Sequence, residues 1–223
     1  MKLQLVVGNK NYSSWSMRPW VLLRQAGIAF EEIQLKFSES DGGISVAGIA
    51  PYSPTGKVPT LLIDGEPVWD SLAICETVAE LFPDKRLWPA EPRARRYARS
   101  ICAEMHSGFQ GMRGAMPMNV RSRYPGKGLN DKSRRDIARV IAIWNECRKR
   151  FGSGGELLFG AFSVADAFFA PVVNRFETYA VEVAGAAATY AQAVRALPAV
   201  REWNDAGRRE TEFVAEDEPY AGK

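Results

Sequence analysis

The sequence predicts an α/β region followed by an all-helical one, and three observations lead there. Residues 1 to about 82 alternate strand and helix patterns. Residues from about 93 onward carry only helical periodicity. Between them "FPDKRLWPAEP" places three prolines in eleven residues, a composition that continues neither structure. The expected organisation is therefore an α/β domain over 1–82, a linker over 83–92 and an all-α domain over 93–223. A chain of 223 residues with 46% apolar composition can bury a substantial core as one domain or two.

Each element has its own signal. Leu3 to Gly8 is a short apolar run that reads as a buried strand. Ser16 to Ala26 reads as a helix closed by Gly27, a favoured residue just past a helix end. Phe30 to Lys36 alternates and reads as a second strand, which makes a βαβ unit with a parallel pair. Ser38 to Gly56, rich in Gly and Ser, reads as irregular. "VPTLLIDGEPVW" sets Asp64-Gly65 between two apolar runs, a hairpin signal for strands three and four. Ser71 then opens a helix with Glu76 and Glu80 outward and Leu72, Cys75, Val78, Ala79 and Leu81 inward. The order βαβ-ββα, four strands with helices covering the sheet, is thioredoxin-like. Beyond the linker, helices are expected at about 93–115, 131–151, 163–182, 187–196 and 199–210, with "EDEPYAGK" as a loosely held tail.

Composition excludes several functions. The 29 basic and 26 acidic residues nearly balance, so no field of one sign points to nucleic acid. The clusters Arg93 to Arg99, Lys132 to Arg135 and Arg148 to Arg150 alternate with apolar positions as solvated helix faces do. No run approaches the ~20 apolar residues of a membrane span, and "MKLQLVVGNK" lacks the features of a secretory signal. A cytosolic protein is expected. Cys75, Cys102 and Cys147 form no CxxC pair and read as reduced thiols packed in helices. The single histidine, His106, rules out clustered-imidazole metal sites, and no metal is expected.

Candidate chemistry gathers at one edge of the sheet. Pro19 is tolerated in a helix only in its first turn, so Ser13 and Ser14 are placed in the loop ahead of a helix starting near Ser16. They could cap that helix, or they could place hydroxyls at its positive end beside an anion. Pro59 begins the third strand. A cis Val58-Pro59 bond there would turn the Val58 backbone outward to pair with an extended peptide; a plain strand-start proline is the alternative. Asp70 and Ser71 sit at the next helix N-terminus, where they could hold a ligand's amine and carboxylate, or Ser71 could cap.

"SSWSMR", Ser13 to Arg18, resembles the active-site run of the serine-type theta and zeta cytosolic glutathione S-transferases. "FSVADAFFAPVV" resembles that family's Ser/Thr-x-x-Asp helix motif, in which Ser163 and Asp166 would form a capping box with a folding role. The resemblance implies glutathione as co-substrate, a small electrophilic partner, a homodimer, and Ser13 or Ser14 hydrogen-bonded to the glutathione sulfur. Ser13 matches the zeta spacing to Arg18 and is the first choice; Ser14 matches the theta-like spacing. It also implies that Val58, followed by Pro59, pairs with the cysteinyl part, that Asp70 and Ser71 take the γ-glutamyl end, and that Lys57 stands at the glycyl end.

A thiol of pKa ~8.5 is about 3% ionised at neutral pH. A hydrogen bond worth ~1.5–3 kcal/mol, given wholly to the thiolate, lowers that pKa by about one to two units. Trp15 replaces the cysteine of the zeta run, which weakens a specific assignment to maleylacetoacetate isomerase. The functions left are conjugation, isomerisation, peroxide reduction, or binding without turnover. Trp15, His106, Phe109 and Arg113 are the candidate electrophile pocket, the last three read with Met112 as one helix face, which could equally be core. "RGAMPMNVRSRYPGKG" reads as a mobile connection in which Arg121 or Arg123 could steer acidic substrates.

Overall fold

The computed structural model describes residues 1–40 and 43–222. Strand β1 (Leu3–Val7) leads into helix α1 (Ser14–Gln25) and strand β2 (Glu31–Gln34); β5 (Thr60–Ile63), β6 (Glu66–Val68) and α2 (Ser71–Leu81) complete the unit. The sheet order is β2-β1-β5-β6, with β2 parallel to β1 and the other pairs antiparallel. Positive φ at Asp64 (51°) and Gly65 (95°) makes the expected hairpin turn. This is the thioredoxin-like arrangement read from the sequence. One face of the sheet carries α1 and α2. The other is covered by Val46, Ile49 and Tyr52, which pack on Val6 and Leu62 without a helix.

Part of the stretch expected to be irregular is a two-stranded ribbon, β3 (Phe37–Ser40) with β4 (Gly43–Val46), in register Phe37↔Val46 and Ser38↔Ser45. Asp41 and Gly42 lie outside the described residues. A ribbon with one polar side carries too weak an apolar alternation to be read from sequence: Ser38 and Ser45 pair through their hydroxyls at 2.8 Å instead.

Helix α1 starts earlier than expected. Ser13 is its N-cap and Ser14 its first residue, so Pro19 is sixth in the helix and not in the first turn. Packing outweighs the local cost of a mid-helix proline, because Ser14 and everything from Ser16 to Leu23 is buried. At α2 the capping residue is Asp70, whose carboxylate accepts the Leu72 N–H (3.1 Å), and Ser71 is the first helical residue. Leu81, expected inward, is 39% exposed, and Ile74 fills the inward position.

The helical half comprises α3 (Pro92–Ser107), α4 (Gln110–Ala115), α5 (Asp131–Phe151), α6 (Val164–Thr178), α7 (Gly185–Ala196) and α8 (Pro198–Arg209). The helix expected over 93–115 is two, because Phe109 takes φ 61° and redirects the chain after Gly108. His106 and Arg113 therefore do not share a face with Phe109 and Met112, which are core. In α6 every residue but Glu177 is buried. The Asp166 carboxylate accepts the Ser163 N–H (2.9 Å), the Ser163 hydroxyl (3.1 Å) and the Leu158 N–H (3.1 Å), which forms the expected capping box.

Two segments read as mobile are tied down. Met116 to Val120 is buried. Arg121 pairs with Glu218 at 2.7 Å, and Arg123 pairs with Glu177, so neither arginine is free to steer ligands. The tail is anchored through Glu218, 7% exposed, which accepts from Tyr12, Arg121 and Tyr124, and through Tyr220, whose hydroxyl donates to the Ala115 carbonyl at 2.7 Å. Lys223 lies outside the described residues.

All three cysteines are free and buried, and burial raises each thiol's pKa, that of Cys147 to about 12. A thiol reagent such as dithionitrobenzoate is expected to leave the native protein unmodified and to react with all three thiols after unfolding, as read by absorbance.

Candidate active site

The loop from Asn9 to Ser13 and the first turn of α1 bring the two halves together. Glu210, just past α8, accepts the Lys10 N–H (2.8 Å) and the Asn11 N–H (3.0 Å). Asn11, itself fully buried, accepts the Arg121 N–H at 3.0 Å. Gly207 of α8 packs so tightly here that a Cβ would stand 2.7 Å from Val120 Cγ2 and 3.0 Å from the Asn11 nitrogen.

The two serines differ in their bonding. Ser13 donates to Ser16 Oγ (2.8 Å) and accepts the Ser16 N–H (3.3 Å), so its hydroxyl is committed to the helix start. Ser14 accepts from Arg175 Nη2 at 3.2 Å, which leaves its own proton uncommitted. Both residues are nearly buried, at 4% and 6% exposure.

Two cavities meet at Trp15. A cleft of about 370 Å³ is lined by Trp15, Thr55, Lys57, Val58, Pro59, Trp69, Asp70, Ser71 and His106. Lys57, Val58, Pro59, Asp70 and Ser71, expected to hold the peptide's backbone and ends, all line it, whereas Ser14 lines the neighbouring cavity and Ser13 lines neither. The Val58-Pro59 bond is cis, the first of the two readings open from sequence, and the Val58 main chain makes no hydrogen bond among the described residues. The Trp69-Asp70 bond is also cis. Ser71 Oγ and His106 Nδ1 are buried polar atoms without partners among the described residues, and His106 Nε2 lies 3.0 Å from Asp70 Oδ2. The open main chain and the two orphaned atoms fit a bound peptide with a carboxylate and an amine.

The second cavity, about 310 Å³, is lined by Tyr12, Ser14, Trp15, Gln110, Arg113, Gly114, Pro117, Arg175, Glu216 and Asp217. Trp15, the shared wall, is clamped between the guanidinium groups of Arg18 and Arg113, each 4.3 Å from its ring, with His106 edge-on at 5.2 Å. Burial and the nearby Arg113 and Arg175 lower the Arg18 pKa to about 9. Arg175 donates to Met116 O (2.9 Å), Pro171 O (3.4 Å) and Ser14, and Arg113 donates to the carbonyls of His106 and Gly108. Neither guanidinium pairs with a carboxylate among the described residues. Burial and Arg113 bring Arg175 down to about 10.

Of the expected electrophile-pocket residues, Trp15 and Arg113 face this cavity and His106 faces the cleft. Phe109 lines neither cavity and packs into the core at 7% exposure. Arg175 and Asp217 were not read from the sequence. A lone arginine in the largely apolar "AFFAPVVNRF" was the available signal for the first, since a buried cation in such a helix needs a partner. A larger concavity of about 610 Å³, walled by Trp88, Phe151, Phe159 and Phe162, lies where α3 starts and α5 ends and holds none of the predicted residues.

The sequence profile described as "Glutathione S-transferase, N-terminal domain" matches residues 12–81, and that described as "Glutathione S-transferase, C-terminal domain" matches residues 130–206. The chain belongs to the glutathione S-transferase family. Among relatives of this transferase-family chain, the rat (Rattus norvegicus) "Maleylacetoacetate isomerase" is 28% identical over 77% of each chain. A Caenorhabditis elegans protein named "Probable maleylacetoacetate isomerase" is 32% identical over 44% of this chain, an alignment that spans less than half (43%) of that relative. Among solved structures, a glutathione transferase homologue from Burkholderia, crystallised with bound glutathione, superposes with a TM-score of 0.70 at 22% identity, covering 94% of this chain and all of that one. A tau-class enzyme from mango (Mangifera indica) gives 0.67 at 18% identity, over 93% of this chain and 96% of that one.

Gly207→Ala is expected to leave the melting temperature within a few degrees of wild type, because a helix-propensity gain of about 1 kcal/mol offsets overpacking of about 1–3 kcal/mol. It should still lower kcat/KM, since the added methyl pushes on the chain two residues before Ser13. Calorimetry and steady-state kinetics on one preparation check both halves.

Proposed function

We propose that this chain is a glutathione-dependent transferase acting on small electrophiles that carry a carboxylate. The supporting observation is that two guanidinium groups lacking carboxylate partners, Arg113 and Arg175, face the same cavity as Ser14 at the start of α1. Glutathione, when bound, supplies a thiolate nucleophile.

The Val58 main chain offers one donor and one acceptor to the peptide, in the manner of an added strand. Asp70 faces its ammonium, Ser71 and the N-terminus of α2 face its γ-glutamyl carboxylate, and Lys57 faces its glycyl carboxylate. Ser14 donates its free proton to the sulfur anion, and Arg175, hydrogen-bonded to the Ser14 oxygen, strengthens that donor. Ser13 keeps the helix start in place. Arg113 and Arg175 hold the electrophile's carboxylate and leave its reactive carbon beside Trp15.

A second reading, glutathione-dependent cis-trans isomerisation, is favoured by the names of the relatives. In it the thiolate adds to a double bond, the resulting single bond rotates, and the thiolate is expelled, so glutathione is not consumed. The same arginines serve both reactions. Glutathione consumption, followed with chlorodinitrobenzene and with a maleyl acid, separates them: conjugation consumes glutathione with either compound, whereas isomerisation converts the maleyl acid and leaves glutathione unchanged. Retention on immobilised glutathione without turnover of any electrophile would instead mark a binding protein. We also infer a cytosolic homodimer, supported by the family and by Trp69 (46% exposed) and Leu81 (39% exposed) near the two ends of the β6–α2 segment; light scattering should return twice the chain mass.

Ser14→Ala is expected to lower kcat/KM for glutathione roughly ten- to a hundredfold, the loss of a hydrogen bond worth about 1.5–3 kcal/mol to the thiolate. The pKa of the bound thiol should rise by about one to two units, read by ultraviolet thiolate absorbance against pH. Ser13→Ala should cost about 1 kcal/mol of stability as a lost cap and shift that pKa less. The reverse order would move the donor role to Ser13.

A further inference from the structure

The C-terminal segment after α8 is built into the electrophile cavity. Glu218 anchors it through Tyr12, Arg121 (2.7 Å) and Tyr124 (3.0 Å), and Tyr220 anchors it through the Ala115 carbonyl (2.7 Å). Between these tethers and α8, Asp217 lines the cavity together with Ser14, Arg113 and Arg175. Its carboxylate makes no ion pair and accepts no hydrogen bond among the described residues.

The groups around it come from every neighbouring element. Arg175 lies on α6 with Tyr179 just past its end, Arg113 on α4 and Tyr12 ahead of α1, and Glu216 and Glu218 belong to the segment itself. The cavity thus holds two cations that pair with no carboxylate among the described residues, and two carboxylates of the C-terminal segment, Glu216 and Asp217, in its lining.

We propose that Asp217 is the specificity-determining residue of this cavity, an internal counter-charge that competes with an electrophile's carboxylate for the field of Arg113 and Arg175. Ionised Asp217 offsets part of the positive charge and disfavours an anionic electrophile. Protonated Asp217 removes that competition and can donate a hydrogen bond to the incoming carboxylate. A neutral electrophile is indifferent to the change.

Burial pushes the Asp217 pKa up to about 6, Arg175 works against that rise, and Glu216 and Glu218 add to it. The switch therefore falls between about pH 5 and 7. By linkage, an anion bound in the cavity must raise this pKa by the same coupling that protonation adds to anion affinity. The inference rests on the assignment of this cavity to the electrophile.

The test uses the full chain without glutathione and two unreactive probes, 3,5-dinitrobenzoate, ionised throughout this range, and neutral 1,3-dinitrobenzene. For wild type, calorimetric titration should show dinitrobenzoate affinity falling on the order of fivefold from pH 5 to 7.5, with dinitrobenzene affinity unchanged. Asp217→Asn should bind dinitrobenzoate about equally at both pH values, at the wild-type low-pH strength. Glu218→Ala, which unties the segment and keeps the Asp217 side chain, should flatten the same dependence. An Asp217→Asn protein whose dinitrobenzoate affinity follows pH as wild type's does would overturn the proposal. With glutathione present, the ratio of kcat/KM for 4-chloro-3,5-dinitrobenzoate over chlorodinitrobenzene should fall with pH in wild type and stay level in Asp217→Asn. Absence of turnover with both would count against the transferase reading, whereas the binding result alone decides the role of Asp217.

Discussion

The site depends on the burial of α1 from both sides. A helix N-terminus is a useful anion receptor only if its first N–H groups and the hydroxyls beside them are held in place with little water to screen them. Here the sheet packs on one side of α1, and α6 and α8 pack on the other. Trp20 stacks edge-on against Trp203 at 5.3 Å, and Met17 Sδ accepts from Asn174 at 3.4 Å. Asn174 and Asn204 exchange hydrogen bonds of 2.8 and 3.0 Å across α6 and α8, which satisfies two amides inside that interface. Strand β1 delivers the serines, and groups from the helical half fix where they stop.

The buried cations follow from the same arrangement. Arg18 and Arg175 are 1% and 5% exposed, a placement that is costly unless each charge finds polar or aromatic partners. Arg175 is solvated by two main-chain carbonyls and a serine hydroxyl. Arg18 lies against the rings of Trp15 and Phe168, at 4.3 and 4.8 Å, while its Nε and Nη1 find no acceptor. Main-chain carbonyls and aromatic faces solvate a cation without neutralising it, so Arg113 and Arg175 bring positive charge to a cavity that Glu216 and Asp217 also line. Trp15, standing where zeta relatives carry cysteine, is held by that stack. It stands where the cleft and the second cavity meet.

Elements with a strong local signature were legible in the sequence. The Asp64-Gly65 turn, the βαβ unit, α5 to its end residues and the Ser163–Asp166 box all fall where spacing or resemblance placed them, and Lys57, Val58, Pro59, Asp70 and Ser71 line one cleft. The misreadings share a cause. Pro19, Phe109 and the β3–β4 ribbon take conformations that their local sequence disfavours or hides, and packing supplies the difference. The tail looked loose because "EDEPYAGK" is polar, yet one of its carboxylates collects three donors from residues about a hundred to two hundred positions earlier.

By itself the sequence determined the fold class and the family, since these rest on periodicity, turn chemistry and short motifs that act within a few residues. Only the tertiary structure decided which serine keeps a free proton, and that Arg175 and Asp217 reach the same cavity from α6 and the chain's far end. Hydrogen-bond commitment and electrostatic neighbourhood are properties of distances between segments, and no local pattern encodes a distance across the core.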